Sequence, residues 1–155
     1  MPDLPVRPGP RPSTSTDTPH AQLDQQPAVS RTDAILDAAL QSFAGVREAP
    51  SQISVPGARA LLVDDQSARG PAEAFLIDGE FAHVHAGGDH SLHLTLPREL
   101  ARQAHASGWA EPHLLVASGA LPATVVMIYA PRDDLESNVV SILLHASYCY
   151  ATTKP

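Results

Sequence analysis

Three segments of the chain space their apolar residues along one helical face. The first is SRTDAILDAALQSFAGV, which is followed by Gly45 and Pro50, both typical helix stops. The second is PRELARQAHASG, with Pro97 at a first helical position and Gly108 at its end. The third and longest is DDLESNVVSILLHASYCY, which begins with an acidic cap at Asp133. The pattern therefore predicts three helices.

The remaining apolar runs are short and have the character of strands. They are the segments near residues 58–64 and 73–77, GEFAHVH, SLHLTLP and ATVVMIYAP. Only five residues, Ala86 to His90, separate GEFAHVH from SLHLTLP, which predicts a hairpin. Because several strands follow one another directly, we expect an α+β domain. Its sheet is mainly antiparallel, with a central histidine-bearing hairpin and about three packing helices.

The N-terminal segment, residues 1–28, differs in composition from the rest of the chain. It holds seven of the 15 prolines among Ser, Thr, Gln and Asp, with little apolar surface to offset the entropy of ordering. We therefore predict a disordered tail over residues 1–28 and a single domain over residues 29–152. No apolar run resembles a secretory signal or a membrane-spanning helix, so a soluble cytoplasmic protein without a membrane partner is expected.

Charge and cysteine content narrow the partners further. The formal net charge is −7 and the few Lys and Arg do not cluster, which argues against nucleic acid and phosphate-rich ligands. The single cysteine, Cys149, excludes an internal disulfide and a multi-cysteine zinc site. Its apolar helical surroundings favour a core position over a nucleophile. A small-molecule substrate is the expected partner, and the oligomeric state stays open.

Four of the eight histidines fall in the predicted hairpin and its loop. Successive strand residues face opposite ways, so Val84 must share the core face with the leucines of SLHLTLP. This parity places His83, His85 and His93 together on the other face, along with Phe81. With the turn centred on Gly88, His83 lies directly opposite His93, with Cβ atoms roughly 5 Å apart. The fourth histidine lies in the loop and is expected to be exposed.

Three interpretations of this histidine face remain open. It is a solvated polar surface, or a metal site in which His83, His85 and His93 supply nitrogen ligands and Asp89 adds a carboxylate. In the third and preferred interpretation, the imidazoles act on an organic ligand without metal. An imidazole deprotonates an enol or phenol, and its neighbours stabilise the anion. Crowding opposes joint protonation of the rings and favours at least one neutral base.

Four residues outside the hairpin are candidates for the same site. Trp109 and Tyr129 offer flat faces that can wall a pocket, although a lone tryptophan is also a typical core anchor. His113 follows a proline, so its segment is extended and can reach the hairpin face. Arg132 stands at a strand–helix junction, where it is either an anion-holding cation or a solvated turn residue.

The chain resembles the small luciferase-domain family, which includes the fungal luciferases, over roughly residues 73–151. The resemblance rests on the order and spacing of several elements. They are the His-x-His of His83 and His85, LHL around His93, Gly108-Trp109, His113 beside Pro112, YAPR from Tyr129 to Arg132, and the acidic start of the last helix. Fungal luciferases oxidise a hydroxylated styryl-pyrone with O₂. The resemblance therefore implies an oxygen-dependent reaction on an electron-rich enol or phenol, with O₂ as co-substrate and no cofactor.

The resemblance also carries the family's site onto residues of this chain. These are His83, His85, His93 and His113, with Tyr129 and Arg132. The chain departs from the family at two places. Its N-terminal segment is polar, where the fungal enzymes have a hydrophobic membrane segment. The segment LLVASGALPAT replaces a different family loop and leaves the substrate open. We expect a luciferase-like oxygenase in which one hairpin histidine is the base and the others, with Arg132, hold the anion. A non-catalytic binding module and a histidine-ligated metalloenzyme are the alternatives.

Overall fold

The computed structural model describes residues 1–154, which form three α-helices around one antiparallel sheet. The strands are β1 (Val46–Pro50), β2 (Arg59–Val63), β3 (Glu80–Val84), β4 (Leu92–Thr95), β5 (Ala110–Pro112) and β6 (Val125–Ile128). The helices are α1 (Thr32–Ser42), α2 (Arg98–Ala106) and α3 (Asp134–Thr152). The strand order is β1-β2-β3-β4-β6-β5, and every neighbouring pair is antiparallel. The predicted α+β class, with its central β3–β4 hairpin and three helices, is confirmed.

Helix α3 closes one face of the sheet. The Glu136 backbone N–H donates to the Asp133 carboxylate at 2.8 Å, which caps the first turn as predicted. Leu143 and Leu144 are buried where the helix packs on β3 and β4. Cys149, which was expected in the core, is exposed because it lies on the outer side of the helix. No helix within residues 1–154 has both the length and the apolar character needed to cross a membrane.

Three strand assignments differ from the sequence prediction. The apolar run near 73–77 is not a strand: residues 72–74 form a 3₁₀ turn in which the Ala74 N–H donates to the Pro71 carbonyl at 2.9 Å. Ala74 and Leu76 are nevertheless buried, so the run reflects burial and not an extended backbone. Strands β1 and β5 are absent from the prediction because VREAP and AEP have neither apolar alternation nor a β-branched run.

A β-bulge in β3 changes which side chains face the histidine side. Leu61 of β2 pairs with Ala82, but the next β2 residue pairs with Glu80, so Phe81 is an extra residue in the ladder. Alternation is broken at this point. Phe81 points into the core, where its ring centroid lies 6.4 Å from that of Tyr148 on α3. Glu80 points to the histidine face. The expectation that Phe81 faces the ligand is therefore wrong.

The position of Phe81 gives a stability prediction. Because its side chain is fully buried, we expect Phe81→Ala to lower the free energy of unfolding by about 3–5 kcal/mol through lost contacts and a residual cavity. Urea denaturation measures the change, and Phe75→Ala, at a half-buried position, serves as the control and should cost clearly less. An equal loss in both variants would contradict a core-anchoring role for Phe81.

The N-terminal segment, for which the sequence predicts disorder, lies against the rest of the chain in the structure. The Trp109 indole N–H donates to the Pro5 carbonyl at 2.6 Å, and the Ala130 N–H donates to the Gln22 side chain at 2.8 Å. His20 is only 1% exposed. The difference has a physical reason: the segment is held largely by individual hydrogen bonds to distant residues, and composition does not record such partners.

Candidate active site

The histidine face of the hairpin forms the floor of a cavity of about 300 Å³, a size that suits a small organic molecule. Its floor is polar and its walls are mostly apolar. The lining residues are Thr18, Pro19, His20, Ile53, Ser54, Val55, Leu76, His83, His85, His93, His113, Leu115 and Leu121. The structure thus brings four sequence-predicted histidines together and adds a fifth from the N-terminal segment.

His93 is the centre of the cluster. The hairpin register pairs it with His83, which confirms the predicted cross-strand alignment. Its ring centroid lies 5.0 Å from that of His83 and 4.6 Å from that of His85. The rings of His113 and His20 approach it to 5.2 and 5.6 Å. Every imidazole lining the cavity therefore contacts or neighbours His93.

A buried carboxylate fixes the orientation of His83. Glu80 is 0% exposed, and its Oε1 lies 2.8 Å from Nδ1 of His83. The same carboxylate accepts hydrogen bonds from the Ser51 hydroxyl at 2.7 Å and from the Gln52 backbone N–H at 3.2 Å. Because Glu80 serves only as acceptor, Nδ1 of His83 carries a hydrogen and Nε2 presents a lone pair. Burial lowers the pKa of His83, although the Glu80 carboxylate opposes that shift.

The same tautomer argument extends to His93. Its Nδ1 lies 3.1 Å from Nε2 of His83, so the His93 Nδ1–H donates to that lone pair. Nε2 of His93 then has a free lone pair, and it is buried without any hydrogen-bond partner among the described residues 1–154. Burial and the four neighbouring imidazoles hold the pKa of His93 well below its usual value. His93 is therefore a neutral imidazole that lines the cavity and has an unused, buried acceptor.

His85 is oriented by the hairpin loop. Its Nδ1 lies 2.9 Å from Oδ2 of Asp89, and the other Asp89 oxygen accepts the Ser91 N–H at 3.0 Å. Burial alone would raise the pKa of Asp89, but the hydrogen bonds from His85 and Ser91 hold it below its usual value. Asp89 is thus an ionised acceptor, and Nε2 of His85 is left for the cavity. His90 is half-buried, not exposed: its carbonyl accepts from the Thr32 hydroxyl, and its N–H donates to the Gln26 side chain.

The fifth histidine, His20, is one that sequence reasoning missed. Its Nε2 lies 3.0 Å from Oε2 of Glu111, and its Nδ1 is buried without a partner among residues 1–154. The Tyr129 hydroxyl also donates to Glu111, at 3.0 Å. No periodic pattern surrounds His20 in the sequence, so no signal of this kind could have predicted its burial.

His113 completes the set with the opposite hydrogen-bonding character. Its Nδ1 accepts the Leu115 backbone N–H at 3.1 Å and caps a 3₁₀ turn. In the neutral ring the hydrogen therefore lies on Nε2. Burial and the nearby imidazoles lower the pKa of His113 to about 4, which keeps the ring neutral at physiological pH. The cavity thus combines acceptor nitrogens with one N–H donor.

The other predicted site residues do not line the cavity. Trp109 is 3% exposed and belongs to the hydrophobic core, as a tryptophan anchor does. Tyr129 lies behind the site, where it supports Glu111; burial raises the pKa of its hydroxyl to about 12. Arg132 forms an ion pair with the buried Glu136 four residues later, so its guanidinium is already engaged. Charge and aromatic character indicated these residues, but their partners place them elsewhere.

Two sets of three histidines have the spacing of metal ligands. One ring nitrogen each from His83, His85 and His93 lie within 4.8 Å of one another, and His20, His93 and His113 form a second such set. In the first set, carboxylates hold the Nδ1 hydrogens of two rings, as in many metal sites. A metal on Nε2 of His83 would replace the hydrogen bond that this nitrogen accepts from His93. In the second set, His113 uses its free Nδ1 lone pair to accept a backbone N–H.

The depressed histidine pKa values predict an acid-sensitive fold. Unfolded histidines bind protons near their usual pKa, whereas buried His93 does not, so the unfolded state gains protons first as the pH falls below about 6.5. We expect the free energy of unfolding to fall by about 1.4 kcal/mol per pH unit for each such histidine between those two pKa values. Urea denaturation between about pH 7 and pH 5 measures the slope. A His93→Gln variant should have a shallower slope, and an unchanged slope would contradict the assignment.

Comparison with known proteins gives a consistent set of relatives. Residues 78–147 match the family model described as Luciferase domain. The chain is similar to the luciferases of Armillaria mellea, at 29% identity, and Armillaria ostoyae, at 30% identity; each match covers 100% of this chain and 64% of the relative. It is also 35% identical to the luciferase of Neonothopanus nambi over 49% of this chain and 29% of that relative. No solved structure matches at a significant level. The chain therefore spans less than two thirds of the length of these curated relatives.

Proposed function

Because this chain belongs to the luciferase-domain family, we propose that it is a luciferase-like oxygenase that joins O₂ to a planar hydroxylated molecule of the enol, phenol or pyrone type. One observation carries the proposal. Nε2 of His93 is a neutral, buried acceptor without a partner among residues 1–154, and His93 lines a cavity of about 300 Å³. A hydroxyl group of the substrate supplies the missing donor.

The first step is removal of the hydroxyl proton by His93. A ring with so low a pKa is a weak base on its own, but its Nδ1–H already points at Nε2 of His83. As Nε2 of His93 gains the substrate proton, Nδ1 passes its hydrogen to His83. The positive charge then resides on His83, 2.8 Å from the Glu80 carboxylate. This relay lets a neutral base accept a proton without leaving a buried charge beside three other imidazoles.

The second step is attack on O₂ by the electron-rich carbon of the anion. The anion supplies both electrons of the new C–O bond, in two one-electron transfers, and O₂ is reduced to the level of a peroxide. The proton held by the histidine pair returns to the terminal oxygen. The net change is substrate plus O₂ to a hydroperoxide, so no other reductant is needed. The Nε2–H of His113 stabilises the substrate oxyanion by donating a hydrogen bond.

Oxygen uptake by purified protein tests the proposal. A panel of hydroxy-pyrones and catechols is offered to the wild-type chain and to a His83→Ala/His93→Ala double variant. We expect at least one compound to be consumed with O₂ by the wild type only. Uptake no greater than that of the double variant across the panel would exclude this class of substrate. A compound that binds and is recovered unchanged would instead favour the non-catalytic binding module.

A second candidate function is that of a metalloenzyme with His83, His85 and His93 as ligands. It is favoured by the proximity of their nitrogens, which lie within 4.8 Å of one another, and by the Glu80 and Asp89 carboxylates behind two of the rings. Elemental analysis of protein purified without a histidine tag distinguishes the two candidates. Close to one transition-metal ion per chain supports the metalloenzyme, and less than about 0.1 per chain excludes it.

A further inference from the structure

The Glu111–His20 pair is the third histidine–carboxylate unit of the site, after Glu80–His83 and Asp89–His85, and the relay does not use it. The His20 side chain is 0% exposed and lines the same cavity as His93. The two rings stack with centroids 5.6 Å apart and an interplanar angle of 30°. His20 comes from the N-terminal segment, outside the residues that match the luciferase domain.

The hydrogen-bonding partners of Glu111 fix the tautomer of His20. Besides Nε2 of His20, the carboxylate accepts from the hydroxyls of Tyr129 and Thr14, each at 3.0 Å. Burial raises the pKa of Glu111, but these hydrogen bonds outweigh burial and hold it below its usual value. Because an ionised carboxylate only accepts, Nε2 of His20 carries the hydrogen. In the neutral ring, Nδ1 therefore presents a lone pair.

Two residues that line the same cavity thus each carry a buried lone pair without a donor among residues 1–154. The acceptor atoms are Nδ1 of His20 and Nε2 of His93, and both atoms are buried without a hydrogen-bond partner. A buried acceptor without a donor is unfavourable, and one hydroxyl supplies only one hydrogen. A ligand that satisfies both nitrogens must therefore carry two donors.

We propose that His20 is a substrate-binding residue that selects ligands with two neighbouring hydroxyl groups. This inference rests on the proposed function, in which His93 deprotonates the first hydroxyl; Nδ1 of His20 accepts a hydrogen bond from the second. Thr18 and Pro19 of the same segment also line the cavity. The N-terminal segment is therefore a wall of the site that determines specificity.

Two substitutions of His20 separate substrate binding from a purely structural role. Asparagine places its amide oxygen near the position of Nδ1, so His20→Asn keeps an acceptor toward the cavity and loses the bond to Glu111. Glutamine reaches the position of Nε2, so His20→Gln keeps a donor to Glu111 and loses the cavity acceptor. Substrate binding predicts that Gln is the more harmful change, and a structural role predicts the reverse. His105→Asn, at an exposed position on α2, is the control.

The readout is calorimetric binding of catechol and phenol to the full chain in the absence of O₂. The wild type should bind catechol about tenfold to a hundredfold more tightly than phenol, the effect of one hydrogen bond in a buried site. His20→Gln should lose this preference, while His20→Asn retains most of it and His105→Asn all of it. Equal preference in wild type and His20→Gln, or loss only in His20→Asn, would overturn the proposal.

A substitution of Glu111 tests the same role of His20 without changing His20 itself. In Glu111→Gln, the amide can donate to Nε2 of His20, which moves the ring hydrogen to Nδ1 and turns the cavity acceptor into a donor. We expect the same loss of catechol preference as in His20→Gln, and an unchanged preference would count against the proposal. Because binding is measured without turnover, failure of oxygen uptake alone would leave this result standing. If the wild type itself showed no preference for catechol, the oxygenase proposal would still stand.

Discussion

Replacement of His93 by alanine is expected to reduce the turnover number for oxygen uptake by about 10²–10⁴-fold, the usual contribution of a positioned general base. The substitution removes the neutral, buried acceptor and breaks the link to His83. Steady-state oxygen consumption measures the loss with the compound that the wild type uses best. Added imidazole should restore part of the rate, because the deleted ring leaves a space of its own size beside the cavity.

The matched control for this change is His90→Ala. His90 lies in the same hairpin but contributes only backbone hydrogen bonds, to Thr32 and Gln26, which alanine preserves. Its turnover should equal that of the wild type. If His93→Ala is as active as His90→Ala, His93 is not the base, and the relay through His83 has no role.

Glu80→Gln should have a similarly large effect without removing any imidazole. The Gln52 backbone N–H needs an acceptor, so the amide oxygen of the new side chain stays opposite it. The amide NH₂ then takes the other position, facing Ser51 and His83. Nδ1 of His83 must then accept, its hydrogen moves to Nε2, and His93 in turn carries its hydrogen on the cavity nitrogen. The base has lost its lone pair, and we expect turnover to fall by about 10²–10⁴-fold.

The tautomers can be observed directly. Two-dimensional ¹H–¹⁵N spectra distinguish rings protonated on Nδ1 from rings protonated on Nε2, and both His83 and His93 should change type in Glu80→Gln. Glu99→Gln, an exposed substitution on α2, controls for the loss of one negative charge. Wild-type tautomers together with wild-type turnover would show that Glu80 does not set the proton positions.

The hairpin could be predicted because its constraints are local. A period of two and a five-residue loop fix which residues share a face, so the alignment of His83 with His93 follows from the sequence alone. The same alternation rule failed two residues before His83, at Phe81. The bulge at Phe81 adds a residue that the alternation cannot reveal, and it exchanged the faces of Phe81 and Glu80.

The rest of the site depends on contacts that are distant in sequence. His20 and Glu111 are 91 positions apart, and nothing around either residue indicates the other. Arg132 illustrates the opposite case, because Glu136 stands four residues later on the adjoining helix. That spacing is a signal for a local ion pair, and it outweighs the general tendency of an arginine near a strand end to hold an anion.

The bulge in β3 ties folding and chemistry to the same backbone distortion. Phe81 fills the core only because Glu80 turns the other way, and Glu80 reaches His83 only because the strand holds one extra residue. Deleting one residue here, or straightening the strand, would withdraw the aromatic ring and the carboxylate together. An insertion or deletion at this point is therefore expected to disturb the core packing of Phe81 and the orientation of His83 together.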